Sequence, residues 1–434
     1  MSPLFIGLIG IVVLFVLLSM GMPIAFSLAI AGTIGILLLN GFGILIHSLG
    51  TYPFGFLRSW LLVAIPLFIL MGSLASSAGV TARAYEATYK WLSRLPGGLA
   101  MASIAACAAI AATSGSSVAT AGMMGVVAIP EMKKYGYDMR LAAGATAAGG
   151  LLGILIPPSI LLVLFGSITE TSVGKLLIAG ILPGILTAGV YMVGIALMVY
   201  FNPVLAAQAP KFTWIERFKS VTKIWEVLIL FMTVVLGIYL GIFTPTEAAA
   251  VGAFAALLMA LVRCIKKPSD IYAAFNDTAR TTVMILALCM GASIFTQCLT
   301  LSGIPRWVTE WIASLHIHRF WILIFCMAIF IPLGMFLDPI SILLITMPII
   351  FPVIIRLGYN PIWFGILVVK LEEIGLITPP VGINVYVIKG VAPEIPLNDI
   401  FRGILPFLVM EVIVIAILII FPEICLWLPN RMIG

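Results

Sequence analysis

Gly153-Ile-Leu-Ile-Pro-Pro-Ser159 and Gly375-Leu-Ile-Thr-Pro-Pro-Val-Gly382 each interrupt a long apolar run, and their proline pairs stand 222 residues apart. Proline has no N–H to donate and its ring clashes with the preceding turn, so each doublet breaks the helix of its run, 140–170 and 362–391. The same offset places Pro130, Gly136, Tyr137 and Gly153 on Pro352, Gly358, Tyr359 and Gly375, Pro23 on Pro245, and Ser116 on Asp338. After a one-residue shift, Gly180-Ile-Leu-Pro183 recurs as Gly403-Ile-Leu-Pro406. Chance supplies a pair of prolines, but not six ungapped identities at helix-breaking positions.

The medium around these breaks follows from composition. The 434 residues are 62% hydrophobic and 9% charged, with a mean hydropathy of +1.23, whereas soluble domains carry about a quarter charged residues. Spanning a hydrocarbon core takes about 20 apolar residues per helix. Such runs recur along the whole chain, and the alternating ten-residue strands of a membrane barrel do not. An all-α polytopic membrane protein is expected. The formal charge of +6 sits in short connections without a basic stripe or interleaved aromatics, so no nucleic acid is expected. None of the six Cys are spaced C-x-x-C, and they read as small apolar fillers. The run 4–18 has no positive residues before it, which argues for a retained first helix rather than a cleaved leader.

Reading apolar runs against their breakers places crossings at 3–20, 23–45, 59–79, 140–170, 176–201, 223–243, 246–263, 280–302, 362–391 and 401–422. Two further pairs of short runs, 98–113 with 118–131 and 319–336 with 340–356, are hinged at Thr113-Ser114-Gly115-Ser116-Ser117 and at Leu337-Asp338-Pro339. Their polar tips lack flanking charges, so they read as two re-entrant hairpins, a geometry tolerated where backbone lines a cavity or is buried in protein. With ten crossings and both termini outside, the cytoplasmic connections hold sixteen Lys and Arg and the outer ones six, with Lys370 left within the membrane. That split follows the positive-inside rule. Residues 1–201 and 223–434, joined by a cytoplasmic arm at 202–222, then hold five crossings each. An odd number per half makes the repeat inverted, the architecture of secondary transporters with broken helices meeting near the midplane.

Each break frees N–H groups at one half-helix and C=O groups at the other. Half-helix N-termini suit an anion, while carbonyls and hydroxyls suit a dehydrated Na⁺. The candidate Na⁺ ligands are Ser114, Gly115, Ser116, Ser117, Gly153 and Pro157 in the first half. In the second they are Asp338, Ser341, Gly375, Thr378, Pro379 and Gly382. Ser159, Asn384, Lys370 and Glu373 are the candidate substrate contacts. Ionisable groups within a membrane are functional candidates by default. Lys370 and Glu373, however, share a helix face at i, i+3, so a structural ion pair is an equal reading.

Other chemistries fail. Gly174-Lys175-Leu176 lacks the Ser/Thr and upstream spacing of a phosphate loop, so no nucleotide is expected. His47, His316 and His318 fall in outer connections, away from the serine cluster, which argues against a hydrolase and against any enzyme.

In Thr113-Ser-Gly-Ser-Ser-Val-Ala-Thr120, Gly153-Ile-Leu-Ile-Pro-Pro-Ser159, Glu373-Ile-Gly-Leu-Ile-Thr-Pro-Pro-Val-Gly382 and Gly403-Ile-Leu-Pro406, the chain resembles the large membrane subunit of TRAP (tripartite ATP-independent periplasmic) transporters. The resemblance covers essentially the full chain. It implies Na⁺-coupled uptake of an organic anion such as a C4-dicarboxylate, keto acid or sialic acid across a bacterial or archaeal inner membrane. It also implies a small four-helix membrane partner, a periplasmic substrate-binding protein, and an elevator in which hairpins and broken helices move against a scaffold. One Na⁺ site would lie at 114–117 with 153–158, the other at 338–341 with 375–382. A stand-alone divalent-anion/Na⁺ symporter and a passive anion channel are the alternatives.

The charge layout makes the first prediction. Single cysteines at Lys219 and Lys267 are labelled only from the cytoplasm, and one at His316 only from outside. Labelling Lys219 and His316 from the same face contradicts the inverted layout.

Overall fold

The computed structural model describes residues 2–206, 212–222, 224–263, 268–314 and 317–432. Lys267, His316 and Cys264 lie outside these residues. All regular elements among the described residues are helical. The chain opens with α1 (Pro3–Ser19), α2 (Ile24–Leu57), α3 (Ala64–Ser77) and α4 (Val80–Leu92). A hairpin, α5 (Gly98–Ser114) and α6 (Ser117–Lys134), precedes a broken helix, α7 (Met139–Leu155) and α8 (Ile160–Thr169). Then follow α9 (Val173–Ala179), α10 (Ile181–Phe201), α11 (Trp214–Val221), α12 (Trp225–Tyr239), α13 (Pro245–Arg263), α14 (Pro268–Ser302) and α15 (Ile304–Ser314). A second hairpin, α16 (Arg319–Gly334) and α17 (Pro339–Arg356), leads to a second broken helix, α18 (Pro361–Ile377) and α19 (Ile383–Val391). The chain closes with α20 (Leu397–Ile420) and α21 (Glu423–Leu426).

Both hairpins and both breaks fall where the sequence places them. The bounds of α6 and α17, and those of α7 and α18, differ by 222 residues at each end. By length and composition, seven helices among the described residues are apolar enough to cross a membrane, or up to nine if each bent pair is one span. That count includes α17 of the second hairpin; of the ten expected crossings, eight pass. The two that do not are α1, with only 17 residues, and the run opened by α18, also 17 residues long, which carries Lys370, Glu372 and Glu373.

Three expectations are corrected. The helix from Ile24 breaks at Gly41 (φ 77°), close to its expected end near residue 45, and a further helical stretch, not expected from the sequence, continues to Leu57. The helix expected from residue 280 begins at Pro268, since half-buried Asp270 and exposed Asp277 sit on one face of a continuing helix. The connections at 80–92 and 304–314 are amphipathic helices, α4 and α15. Within the arm, Thr213 and Glu216 form a reciprocal capping box that starts α11. The Trp91 indole N–H donates to the Arg217 carbonyl at 3.1 Å and ties α11 to α4.

Close helix crossings set the layers. An added Cβ on Gly32 of α2 would meet the Phe295 backbone of α14 at 2.7 Å, and one on Gly291 of α14 would meet the Ala25 carbonyl at 2.2 Å. Gly144 of α7 and Gly403 of α20 meet in the same way, an added Cβ on Gly144 falling 2.2 Å from the Gly403 carbonyl. Such backbone contact supplies dispersion and packing in a setting where lipid offers no hydrophobic contrast. Around α7 gather α5, α6, α10 and α20; around α18 gather α16, α17 and α20; α2, α3, α13 and α14 pack on one another. At the end of this last group, Glu226 is buried and bridges Arg83 at 3.2 Å and Arg263 at 2.6 Å.

Candidate functional site

The first hairpin turns because Gly115, with φ at 62°, ends α5 in the left-handed region that a side chain would strain. Ser116 then caps α6, its hydroxyl accepting from the Ala119 N–H at 3.4 Å. Thr120 spends its hydroxyl proton on the Ser116 carbonyl at 2.8 Å. The 2.5 Å contact between Ser114 Oγ and Thr120 Oγ1 is therefore donated by Ser114. The break of the neighbouring broken helix packs onto this tip. A Cβ on Gly153 would fall 2.6 Å from the Ser116 carbonyl oxygen, and one on Gly115 would fall 3.0 Å from the Pro158 carbonyl oxygen. Ser159 caps α8 by accepting from the Leu162 N–H at 3.2 Å, so this candidate substrate contact is a fully buried helix cap.

The second hairpin is built alike with different side chains. Asp338 caps α17, accepting from the Ser341 N–H at 3.1 Å and the Ser341 hydroxyl at 2.5 Å. Behind it Gly334 of α16 lies on Gly375 of α18, where an added Cβ would come within 2.4 Å of the Gly334 Cα. Thr378 ends α18 and donates its hydroxyl to the Ile374 carbonyl at 2.6 Å. That proton staples the last helical turn, and the oxygen lone pairs remain for another partner. Gly382, at φ 60°, starts α19. Pro157-Pro158 and Pro379-Pro380 are both cis. The first break is buried throughout, whereas Pro379 and Pro380 are exposed and Thr378 half-buried.

One side chain joins the halves at these breaks. Asn384, fully buried at the start of α19, donates through Nδ2 to the Ser117 hydroxyl at 2.6 Å and to the Ala147 carbonyl at 3.3 Å. The carbonyl can only accept, which fixes the amide orientation and turns Oδ1 away without a partner among the described residues. Lys370 and Glu373 are paired at 2.7 Å, and Lys370 also bonds Glu411 of α20 at 2.8 Å. Tyr191 of α10 donates a short hydrogen bond to the same Glu411 oxygen. All four residues are fully buried and form an ion network joining α18, α20 and α10. Glu411 and Tyr191 went unassigned in the sequence; an acid inside the apolar run 401–422 was the available signal.

Two cavities open near the hairpins, one of them at the first tip. One of about 490 Å³ is lined by Ser114 and Ser116 of the first hairpin, Ser73 and Ser76 of α3, and Asp277 of α14. Another of about 600 Å³ lies among α2, α8, α14 and α17, with Thr51, Ser167, Glu170, Gln297 and Leu344 on its walls. The hairpin tip at 114–117 thus meets open space, and the Lys370 network does not line either cavity.

Residues 11–424 match the family model described as "Tripartite ATP-independent periplasmic transporter, DctM component". The chain belongs to this family. Among its relatives, the C4-dicarboxylate TRAP transporter large permease protein DctM of Pseudomonas aeruginosa is 37% identical, with 93% of this chain and 94% of that protein covered. The sialic acid TRAP transporter large permease protein SiaM of Vibrio cholerae is 32% identical, covering 96% and 97%. Among solved structures, the YdaH transporter of Alcanivorax borkumensis matches with a TM-score of 0.64 at 14% identity, covering 91% of this chain and 90% of that one. At that identity the likeness concerns the fold alone. This chain is thus a multi-pass membrane protein of a TRAP large-permease family, and the family is one of transporters rather than enzymes.

The Gly334–Gly375 contact sets a prediction about how the second hairpin is held. Backbone cannot yield to a new methyl group, so Gly375→Ala costs about 1–3 kcal/mol through overpacking. It lowers the thermal midpoint of the purified protein, while Gly43→Ala, with nothing within 4 Å, lowers it far less. Equal midpoints for the two variants contradict the contact.

Proposed function

We propose that this TRAP large permease imports a small organic anion against its gradient by coupling it to Na⁺, with the coupling ions held at the two helix breaks. The observation that carries this reading is the pairing of each broken helix with a hairpin: Gly153 against Ser116 at the first tip, and Gly375, ahead of the second break, against Gly334 near the end of α16. Backbone carbonyls released at a break cannot stay unpartnered in a low-dielectric interior, and a dehydrated cation partners them. Thr378 Oγ1, Ser117 Oγ and Asn384 Oδ1 supply further oxygens beside them. Asp338 and Ser341, already bonded to each other, hold the second tip in shape.

The 222-residue correspondence of helix bounds supports a repeat with 1–201 and 223–434 as its halves, and the charge split of the connections supports its inversion with both termini in the periplasm. The hairpins and broken helices form the moving body of an elevator, and α2, α3, α13 and α14 its scaffold. The cavity between Ser114, Ser116 and α3 is space through which substrate passes. Relatives are named for C4-dicarboxylate, sialic acid, ectoine and 2,3-diketo-L-gulonate, which supports a small, mostly carboxylate-bearing cargo. A small membrane subunit and a periplasmic binding protein complete the inner-membrane system; in one relative, from Oleidesulfovibrio alaskensis, the permease protein is named DctMQ.

Reconstituted with both partners, the chain takes up substrate only under an inward Na⁺ gradient. Thr378→Val and Ser117→Ala each raise the Na⁺ concentration for half-maximal uptake, by roughly 5- to 150-fold for about 1–3 kcal/mol of lost ligation. Substrate capture by the soluble protein is unchanged. Uptake of free substrate by this chain alone contradicts the reading in favour of a stand-alone symporter. An unaltered Na⁺ dependence in both variants, at normal expression, removes these hydroxyls from the ion sites.

A further inference from the structure

The arm between the halves carries a helix whose amphipathic order is reversed for a water-facing surface. In α11 the side chains turned to protein are polar: Arg217 and Ser220 are buried. Those turned outward are apolar: Trp214, Ile215 and Phe218 are exposed, Ile215 at 79%. At about 100° per residue these three share one face, with Arg217 at one edge, Lys219 at the other and Glu216 on the far side. The aromatic patch continues onto α4, where the Trp91 ring meets Trp214 and Phe218 edge to face at 6.4 and 5.6 Å. The Trp91 bond to the Arg217 carbonyl fastens the two helices there.

Arg217 lacks an anion. It is only 5% exposed, its Nε and Nη2 are buried without a hydrogen-bond partner, and no carboxylate pairs with it among the described residues. Its one side-chain partner is the exposed Trp214 ring, whose centroid lies 5.1 Å from the guanidinium carbon. A buried cation without a counter-charge is costly, so an acceptor from outside the chain stabilises it. Lys219, exposed at the other edge, has no ion pair among the described residues either. Residues 202–223 hold four bases, Lys211, Arg217, Lys219 and Lys223, and one acid, Glu216, which is engaged in capping with Thr213.

Whatever covers this face must be apolar at its centre and negative at its edges. Anionic phospholipid is both. The arm leaves α10 at Tyr200 and Phe201, which are also exposed, and aromatic rings of this kind mark the level where hydrocarbon gives way to headgroups. A helix lying in that plane carries an apolar face flanked by Lys and Arg. The charge split of the connections puts this end on the cytoplasmic side, where the leaflet is negatively charged. We propose that α11 and Trp91 form an in-plane anchor on the cytoplasmic leaflet, with Trp214, Ile215 and Phe218 among acyl chains and Arg217 and Lys219 on the phosphates of anionic phospholipid. Because α4 connects α3 to the first hairpin, the anchor holds that junction at the membrane surface. The side of the membrane rests on the charge layout, whereas the lipid contact does not.

Two measurements on the full chain in phosphatidylcholine vesicles, with and without phosphatidylglycerol, test it. With the native cysteines replaced by alanine, a nitroxide on Ile215→Cys is reached by oxygen and shielded from a water-soluble nickel chelate, and one on Glu216→Cys shows the reverse. Free access of the chelate to the Ile215→Cys label overturns the proposal. So does shielding that arises only when a small membrane subunit is added, which assigns the face to that subunit. The second measurement is Trp214 emission, taken as the difference between wild type and Trp214→Phe. Brominated phosphatidylglycerol quenches it more strongly than brominated phosphatidylcholine. Arg217→Gln and Lys219→Gln each lower that preference by roughly 5-fold. Should Arg217→Gln not be recovered folded, Arg217→Met, which keeps the apolar stem without the charge, takes its place. Equal quenching by the two lipids in wild type, or an unchanged preference in either variant, overturns the anionic-lipid assignment.

Discussion

Backbone N–H and C=O groups cannot go unpartnered inside a hydrocarbon layer, and much of this structure can be read as an answer to that constraint. Long apolar helices such as α10 and α20 meet it internally. The two proline pairs violate it, because each removes donors and splits a helix at 155–160 and 377–383. The chain brings folded backbone to each violation: the Ser116 carbonyl and Gly115 lie against the first break, and Gly334 against the turn that leads to the second. Glycine is required at these contacts because any Cβ would occupy the space of a neighbouring backbone atom. The breaks are thus held in place from outside, which leaves their free carbonyls and half-helix termini available to ligands.

Charge follows a second rule at the same place. Lys370, Glu373, Glu411 and Tyr191 close an ion network at zero exposure and tie the second broken helix to α20 and α10. Breaking such a network by removing one partner is far costlier than the network is worth, so it holds α18 in one register. The first half has no counterpart, since its matching stretch is Ala148-Gly149-Gly150-Leu151. The two breaks are therefore alike in backbone and unlike in charge, and they differ also in exposure: Pro157 is buried and Pro379 is not.

Much of this was legible in the sequence because breakers are local. Pro157, Pro158, Pro379 and Pro380 announce their breaks through covalent geometry, and Ser116 and Asp338 announce helix starts through short polar side chains. Helices α4 and α15 were missed because their mixed composition resembles that of a connection; only the protein surface on which they lie makes them helical. Distant partners were illegible for the same reason. Nothing near Asn384 in sequence indicates Ser117, and nothing near Gly375 indicates Gly334; these meetings depend on how the hairpins dock. Lys370 and Glu373 were recognisable as a pair by helical spacing, but the share of Lys370 taken by Glu411, forty-one positions on, was not.

The central claim is that the paired breaks hold the coupling ions, and density for those ions tests it most directly. High-resolution electron cryo-microscopy of the complete transporter would be done twice, in Na⁺ and in a large organic cation that cannot enter. The account predicts discrete density in Na⁺ alone, bounded by carbonyls at 114–117 with 153–158 and at 375–382 beside Thr378. Identical maps at both breaks in the two conditions, or Na⁺-dependent density elsewhere in the protein, would contradict it.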